Sequence, residues 1–178
     1  MDDNKQPSLV RSTMNYGAML GLALIIYTIL LWMMDSLTRT GLASVSYLIM
    51  IAGIVFATRS FRDQEQGGVI TYGRALAVGT LTCVFAGVVT AFFTYLLYTV
   101  IDTGLIDKTY AAMEQSYYDA GMTDSQIEMA MSMAKRFTNP VMMSVMSLLG
   151  SAFMGFIFSL ITSIFLKKEE DPFESDKV

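Results

Sequence analysis

Three arginines and two adjacent glycines give this chain its clearest candidate for chemistry. Arg59, Arg62 and Arg74 lie with the pair Gly67-Gly68 in one charged segment between two long apolar runs. A guanidinium binds phosphate through a bidentate fork, and glycines let backbone amides approach the same anion. The segment therefore suggests contact with an anionic lipid head group or a polyprenyl phosphate. A structural role is favoured over binding, because arginines beside apolar runs fix topology and glycines form turns.

Little else in the sequence has catalytic or metal-binding character. The chain has no histidine, and its single cysteine, Cys83, lies in an apolar run. The commonest general base and metal ligand is thus missing, as are an intramolecular disulfide and a cysteine-rich metal site. An enzyme acting on a lipid phosphate at the arginines would need Asp63 or Glu65 as its base. We therefore predict a non-enzymatic protein without catalytic residues, metal or cofactor.

The composition indicates an integral membrane protein. Hydrophobic residues make up 53% of the chain, charged residues only 16%, and the mean hydropathy is +0.48. The apolar residues form blocks too long for strands or ordinary core helices. These blocks contain no Asp, Glu, Lys, Arg or His, whereas proton relays and ion-coupled transporters carry such residues inside the membrane. The predicted spans are 14–34, 42–58, 75–101 and 140–166.

We expect an all-α, polytopic membrane protein with a single four-span domain, 14–166. A helical hairpin connects the third and fourth spans, with helices over 105–120 and 124–136. Gly121 suits the C′ position that ends the first helix, and Thr123 begins a capping box with the glutamine three residues later. The tyrosines and methionines of this hairpin suit the membrane interface or a partner surface. The flanking segments are a leader (1–13), a loop containing the arginines (59–74), the hairpin (102–139) and a charged tail (167–178).

The lysines and arginines are distributed unevenly between the two sides of the membrane. Eight lie in the leader, the arginine loop and the tail, against four on the side of the hairpin. The positive-inside rule therefore predicts cytoplasmic termini, a cytoplasmic arginine loop and an extracytoplasmic hairpin.

Small residues recur at four-residue spacing along the spans. Because the hydrophobic effect does not drive helices together in lipid, close approach along small faces must do so. The third and fourth spans are expected to pack on each other, with each serine hydroxyl bonded to its own helix backbone. An alternative is that the serine face from Ser147 to Ser163 lines a polar path. The predicted packing residues are Gly17, Gly21, Gly79, Cys83, Gly87, Ser151, Gly155 and Ser159.

With these residues in view, the chain resembles an uncharacterised family of small bacterial membrane proteins, domain of unknown function 4199. The resemblance covers roughly residues 10–168. It implies a four-span α-helical protein in a bacterial inner membrane, and it implies no reaction. The matching pieces are Arg59 with Arg62-Asp63, the run from Gly68 to Ala75, the Gly-Met-Thr of the hairpin, and Asn139-Pro140.

Two functional expectations follow. The first is an interaction or accessory subunit of an envelope complex, whose partners are the lipid bilayer and another membrane protein or a second copy, without nucleic acid. The alternative is a small transporter or channel for an uncharged or lipid-like substrate that uses the serine face.

Overall fold

The computed structural model describes residues 9–37 and 40–168, and these residues form helices without a strand. Residues 1–8 of the predicted leader and 169–178 of the predicted tail lie outside the described residues. A single isolated antiparallel bridge joins Ile70 and Lys168. The helices are α1 (Leu9–Met33), α2 (Thr40–Ala43), α3 (Val45–Glu65), α4 (Tyr72–Leu96), α5 (Leu105–Asp119), α6 (Asp124–Phe137) and α7 (Pro140–Leu166).

Four of these helices are long and apolar enough to cross a membrane: α1, α3, α7, and α4 with its π-helical extension to Ile101. The shortest, α3, has 21 residues, or about 31 Å at 1.5 Å per residue, which matches the hydrocarbon core. Large apolar side chains such as Ile26, Phe92 and Phe165 are exposed on their outer faces. The predicted fold class, a four-span α-helical membrane protein with a helical hairpin before the last span, is confirmed.

All three arginines lie on helices and not in a loop, Arg59 and Arg62 on α3 and Arg74 on α4. Helix α3 continues past the predicted span end through Arg59 and Arg62, and α4 begins at Tyr72. The connection is therefore only 66–71, shorter than the predicted 59–74. Hydropathy marks where a helix leaves the apolar phase, but arginine, glutamine and glutamate are good helix formers and let the helix continue. Gly67 and Gly68, at φ +63° and +90°, make the turn.

In the hairpin, α5 ends and α6 begins at the residues that the sequence predicts. Gly121 has φ +75° and its N–H donates to the carbonyl of Tyr118, while Met122 N–H donates to Tyr117; this is a Schellman motif. The side chain of Gln126 accepts from the N–H of Thr123 at 2.9 Å, completing the capping box.

The last span also begins at its predicted cap. Asn139 Oδ1 accepts a hydrogen bond from Met142 N–H at 2.9 Å. Pro140 occupies the first helical position, where its missing N–H costs nothing. The two residues between α6 and α7 therefore end one helix and begin the next, with Asn139 capping the start of α7.

Helix α4 does not remain α-helical to the end of its apolar run. Residues Leu97–Ile101 form a π-helical turn, in which Asp102 N–H donates to the carbonyl of Leu97 at 2.9 Å. Such turns are rare and often lie at functional positions. Here the turn directs Asp102 toward α1, where the indole Nε1 of Trp32 donates to its carboxylate at 3.0 Å.

Small residues place α4 and α7 in close contact along most of their length. A Cβ added at Gly155 would overlap the Cβ of Cys83, and one at Gly79 would overlap Oγ of Ser159. At Gly87 it would lie 3.0 Å from the Cβ of Ser151. At Gly155 the backbones are therefore closer than a side chain would permit, and at Gly79 and Gly87 a neighbouring side chain would have to shift, as small-residue packing in lipid predicts.

The same mechanism places α1 against α4. A Cβ added at Gly17 would overlap the side chain of Phe85 and lie 2.7 Å from the Thr82 carbonyl, and one at Gly21 would meet Val89 at 2.8 Å. Helix α4 is thus the central helix of the bundle, with α7 on one side and α1 on the other.

The two ends of the bundle differ in composition and in packing. At the arginine end, Ser12 Oγ of α1 donates to Glu65 of α3 at 2.6 Å, and Ile70 and Lys168 exchange hydrogen bonds of 2.7 and 2.9 Å. Both ends of the described chain lie here. The core fills this half and the bundle centre; its buried members are Leu20, Met50, Ile54, Ala57, Phe61, Ile70, Ala75, Val78, Cys83 and Ala86.

Candidate functional site

A lateral cleft of about 350 Å3 opens among the four spanning helices in the half nearer the hairpin. All four contribute side chains to it, which places the cleft at membrane depth. Its apolar walls come mainly from methionine, leucine, isoleucine and phenylalanine. The lining residues are Leu24, Ile25, Thr28, Ser46, Tyr47, Met50, Thr90, Phe93, Thr94, Met146, Ser147, Gly150, Ser151 and Met154.

Hydroxyl groups are the polar component of this cleft, and none of its lining residues is charged. Three hydroxyls are engaged: Thr28 and Thr90 donate to carbonyls of their own helices, and Ser151 donates to the Cys83 carbonyl of α4 at 3.1 Å. Four others form no hydrogen bond with the described residues and are free to bind a ligand. They are the hydroxyls of Ser46, Tyr47, Thr94 and Ser147.

The cleft closes toward the arginine end. Met50 forms part of its floor and belongs to the buried central cluster with Ile54. Ser159 and Ser163, which continue the serine face below the cleft, are 0% and 1% exposed. The predicted serine face therefore divides into an upper part that lines the cleft and a lower part that packs inside the bundle.

The hydroxyls of Ser151 and Ser159 do not form the predicted hydrogen bonds to the backbone of their own helix. Ser151 bonds across to the neighbouring helix and not to its own backbone. Ser159 Oγ is buried and has no hydrogen-bond partner within the described residues. The small size of serine explains its presence at both positions, because each fits against a glycine of α4.

The size and chemistry of the cleft restrict what it can hold. A volume of about 350 Å3 lies within the range of small-molecule pockets, which are mostly apolar with a few orienting polar groups. The arrangement suits an uncharged, elongated molecule that carries a hydroxyl or carbonyl.

Protein groups already engage two of the three arginines predicted to bind phosphate. Arg62 pairs with Asp63, with 2.7 Å between Nε and Oδ1 and 3.3 Å between Nη2 and Oδ2. Its Nη1 also donates to the Leu166 carbonyl at the end of α7, at 3.5 Å. Arg74 places its guanidinium 5.8 Å from the ring centre of Phe61. Arg59 is exposed on α3.

These contacts assign the arginine end a clear structural role. Arg62 connects the end of α3 to the end of α7, where a terminal carbonyl lacks a partner within its own helix. Arg59 and Lys168 are close enough to Asp63 to interact with its charge. Met50 of the cleft and Arg62 are twelve residues apart on α3, or about 18 Å, so the arginines and the cleft are separate sites.

The hairpin end has its own polar contacts. Lys108 Nζ of α5 lies 2.8 Å from Asp35 Oδ1, just after α1. Asp35 has a positive φ (+48°) and occupies the C′ position of α1. The hydrogen bond and charge of its carboxylate raise the pKa of Lys108 above the usual 10.5. Tyr110 OH also donates to the Thr138 carbonyl at 2.8 Å, connecting α5 to the start of the last span.

Sequence reasoning identified only one wall of the cleft. The serine face of α7 was recognised from its spacing, but the hydroxyls contributed by α1, α3 and α4 were not. Thr90 and Thr94 stand four residues apart and so share one face of α4, a signal that would have indicated the opposite wall. In the described parts of the chain, no group of three or more Cys, Asp or Glu side chains is arranged to hold a metal.

Comparison with known proteins gives a family and no function. A search of curated proteins finds no match, and a search of solved structures finds none either. Residues 15–168, most of the chain and all four spanning helices apart from the first turns of α1, match the family described as "Protein of unknown function (DUF4199)". The chain, a membrane protein of unknown role, belongs to this family.

Proposed function

We propose that this protein is a non-enzymatic membrane protein that binds an uncharged, lipid-like molecule in the lateral cleft. In this role it acts as an accessory subunit of an envelope complex, holding the molecule for a partner. The observation that carries the proposal is the cleft itself: an uncharged, mostly apolar pocket with unpaired hydroxyls, lined by all four spanning helices. An acyl or isoprenoid chain can enter from the bilayer without crossing water, and the hydroxyls of Ser147 and Thr94 can orient its polar end.

The proposed location is a bacterial inner membrane, with both ends of the chain and the arginine end in the cytoplasm. The excess of lysine and arginine at that end supports this orientation. Thiol labelling of a cysteine at Gln64, at the end of α3, and at Gln115, in α5, tests it. An impermeant reagent added to intact cells should reach the cysteine at 115 and not the one at 64. Equal labelling of the two would overturn the orientation.

A photo-crosslinking pair tests cleft binding. Gly150 lines the cleft and has open space where a Cβ would stand, so a benzophenone side chain fits there without disturbing the bundle. Leu149 is exposed and is not a cleft residue, which makes it the matched control. After irradiation in native membranes, position 150 should give one predominant neutral lipid-like adduct, and position 149 only a mixture of bulk lipids. The same mixture at both positions would refute binding in the cleft.

Co-purification tests the accessory role separately. Extraction in a mild detergent should recover the chain in stable complex with another membrane protein. Recovery of the chain alone in repeated preparations would remove the accessory role while leaving cleft binding intact.

A transporter or channel for an uncharged or lipid-like substrate is the second candidate. Ser147 and Ser151 favour it, because both line the cleft as a substrate path along α7 would require. The burial of Ser159 and Ser163 opposes it, since the path ends at the bundle centre in this conformation. Reconstituted protein carrying Gly150→Leu, whose Cβ meets nothing within 4 Å and whose longer side chain occupies part of the cleft, should lose flux. Undiminished flux would exclude the cleft as the path.

A further inference from the structure

Helix α6 has two apolar rows, and the hairpin covers only one of them. Ile127 and Met131 are 3% and 7% exposed within the α5–α6 hairpin, whereas Met129, Met133 and Phe137 are 68%, 60% and 60% exposed. The exposed three stand four residues apart and so form a continuous stripe along the helix. Single apolar side chains on a surface are ordinary, but a contiguous apolar stripe indicates a contact surface.

The stripe ends where the chain enters the membrane. Only Thr138 and Asn139 separate Phe137 from Pro140, the first residue of α7. Three residue steps span at most about 11 Å, and the head-group layer is about 5–8 Å thick on each side. Val141, in the first turn of α7, is itself 60% exposed on a spanning helix. The exposed stripe of α6 is thus continuous along the chain with the lipid-facing surface of α7.

The charges on α6 are arranged to suit the same position. Lys135 and Arg136 lie in the last turn, beside the start of α7, while Asp124 lies in the first turn, at the opposite end of the helix. Lysine and arginine beside an apolar face can extend their charged ends to lipid head groups. The polar residues Glu128 and Ser132 are exposed on another side of the helix. A helix with this division of apolar and basic residues typically lies in the plane of the membrane interface.

We infer that α6 lies on the bilayer at the hairpin end, with the stripe of Met129, Met133 and Phe137 immersed at the boundary between head groups and acyl chains. The partner of this surface is therefore the lipid surface itself, and not another protein. Methionine side chains suit the irregular packing of this boundary because they are flexible and apolar. The inference is independent of what the lateral cleft binds.

Spin labels on single introduced cysteines test this placement. Met133→Cys and Phe137→Cys report on the stripe, and Ser132→Cys, adjacent and exposed on the polar side, is the matched control. Cys83 is fully buried and stays in place, with unsubstituted protein labelled in parallel as the blank. The labelled proteins are reconstituted into vesicles of mixed zwitterionic and anionic phospholipid.

At positions 133 and 137, the accessibility to oxygen should exceed that to a water-soluble nickel complex, and at position 132 the order should reverse. Aqueous accessibility at all three positions would overturn the inference. Spectral broadening at 133 and 137 that disappears on dilution with unlabelled protein would also overturn it, because a second copy would then cover the stripe.

Discussion

Gly155→Ala is expected to separate the two helices that form the main seam of the bundle. The added Cβ would overlap the Cβ of Cys83 and lie 2.7 Å from its Sγ, whereas carbon atoms pack best at about 3.5–4.0 Å. The overlapped atom is attached directly to the backbone, so no rotamer change relieves the clash and α4 and α7 must move apart by about 1 Å. Overpacking of this kind costs about 1–3 kcal/mol.

Thermal unfolding in one mild detergent measures this cost, with Gly150→Ala as the control on the same helix. A Cβ at Gly150 meets nothing within 4 Å, so this variant should be unchanged or stabilised by about 0.5–1 kcal/mol. For a chain of this size about 2–4 °C corresponds to each kcal/mol, so Gly155→Ala should unfold roughly 2–12 °C below Gly150→Ala, which has the same gain in helix propensity without the overlap.

A reciprocal substitution separates steric overlap from other causes. Cys83→Gly in the Gly155→Ala background removes the overlapping Cβ and should recover part of the lost stability. The recovery is partial because introducing a glycine at position 83 of helix α4 itself costs about 1 kcal/mol. If Gly155→Ala unfolds at the same temperature as Gly150→Ala, the close seam described here is refuted. The same conclusion follows if the double variant shows the summed losses of its two single substitutions.

Two further predictions concern hydroxyls and charge. Ser151→Ala should destabilise the protein by about 0.6 kcal/mol, because it removes a hydrogen bond between helices. Ser159→Ala should cause no loss, because its buried hydroxyl has no partner; equal losses in the two variants would contradict this reasoning. The Asp35 carboxylate raises the pKa of Lys108. The ion pair therefore contributes fully to hairpin docking below pH 10.5, and this contribution is lost as the pH rises through the raised pKa of Lys108. The emission of Trp32, the single tryptophan, should change in that alkaline range, and Asp35→Asn should abolish the change; an identical titration in both proteins would rule out the ion pair as its cause.

The spanning helices and the local caps could be predicted because their causes lie close together in the sequence. An apolar run longer than a bilayer thickness needs no tertiary context, and neither does the Gly121 terminus or the Asn139 cap. Helix ends at the arginines were less predictable, because hydropathy detects the apolar phase and not the backbone. Hydropathy therefore predicts a loop at Arg59, Arg62 and Arg74, whereas α3 carries the first two and α4 the third.

The cleft could not be predicted from one helix at a time. Small residues at Gly79, Cys83 and Gly155 indicate that α4 and α7 touch, but not where the other two helices diverge from them. The π-helical turn after α4 was equally hidden, since an uncharged run looks the same in α- and π-helical form. The pairing of Arg62 with Asp63 is visible in the sequence only as adjacency, and its contact with the end of α7 is not visible at all.

The bridge between Ile70 and Lys168 restricts how this bundle can deform. It joins the residues just before α4 and just after α7, while the α5–α6 hairpin connects the same two helices at the opposite end. The two helices, the hairpin and the bridge thus form a closed ring, which cannot widen unless backbone hydrogen bonds break. Helices α1 and α3 lie outside that ring. We therefore expect a change in the width of the cleft to come from movement of α1 and α3 relative to this ring.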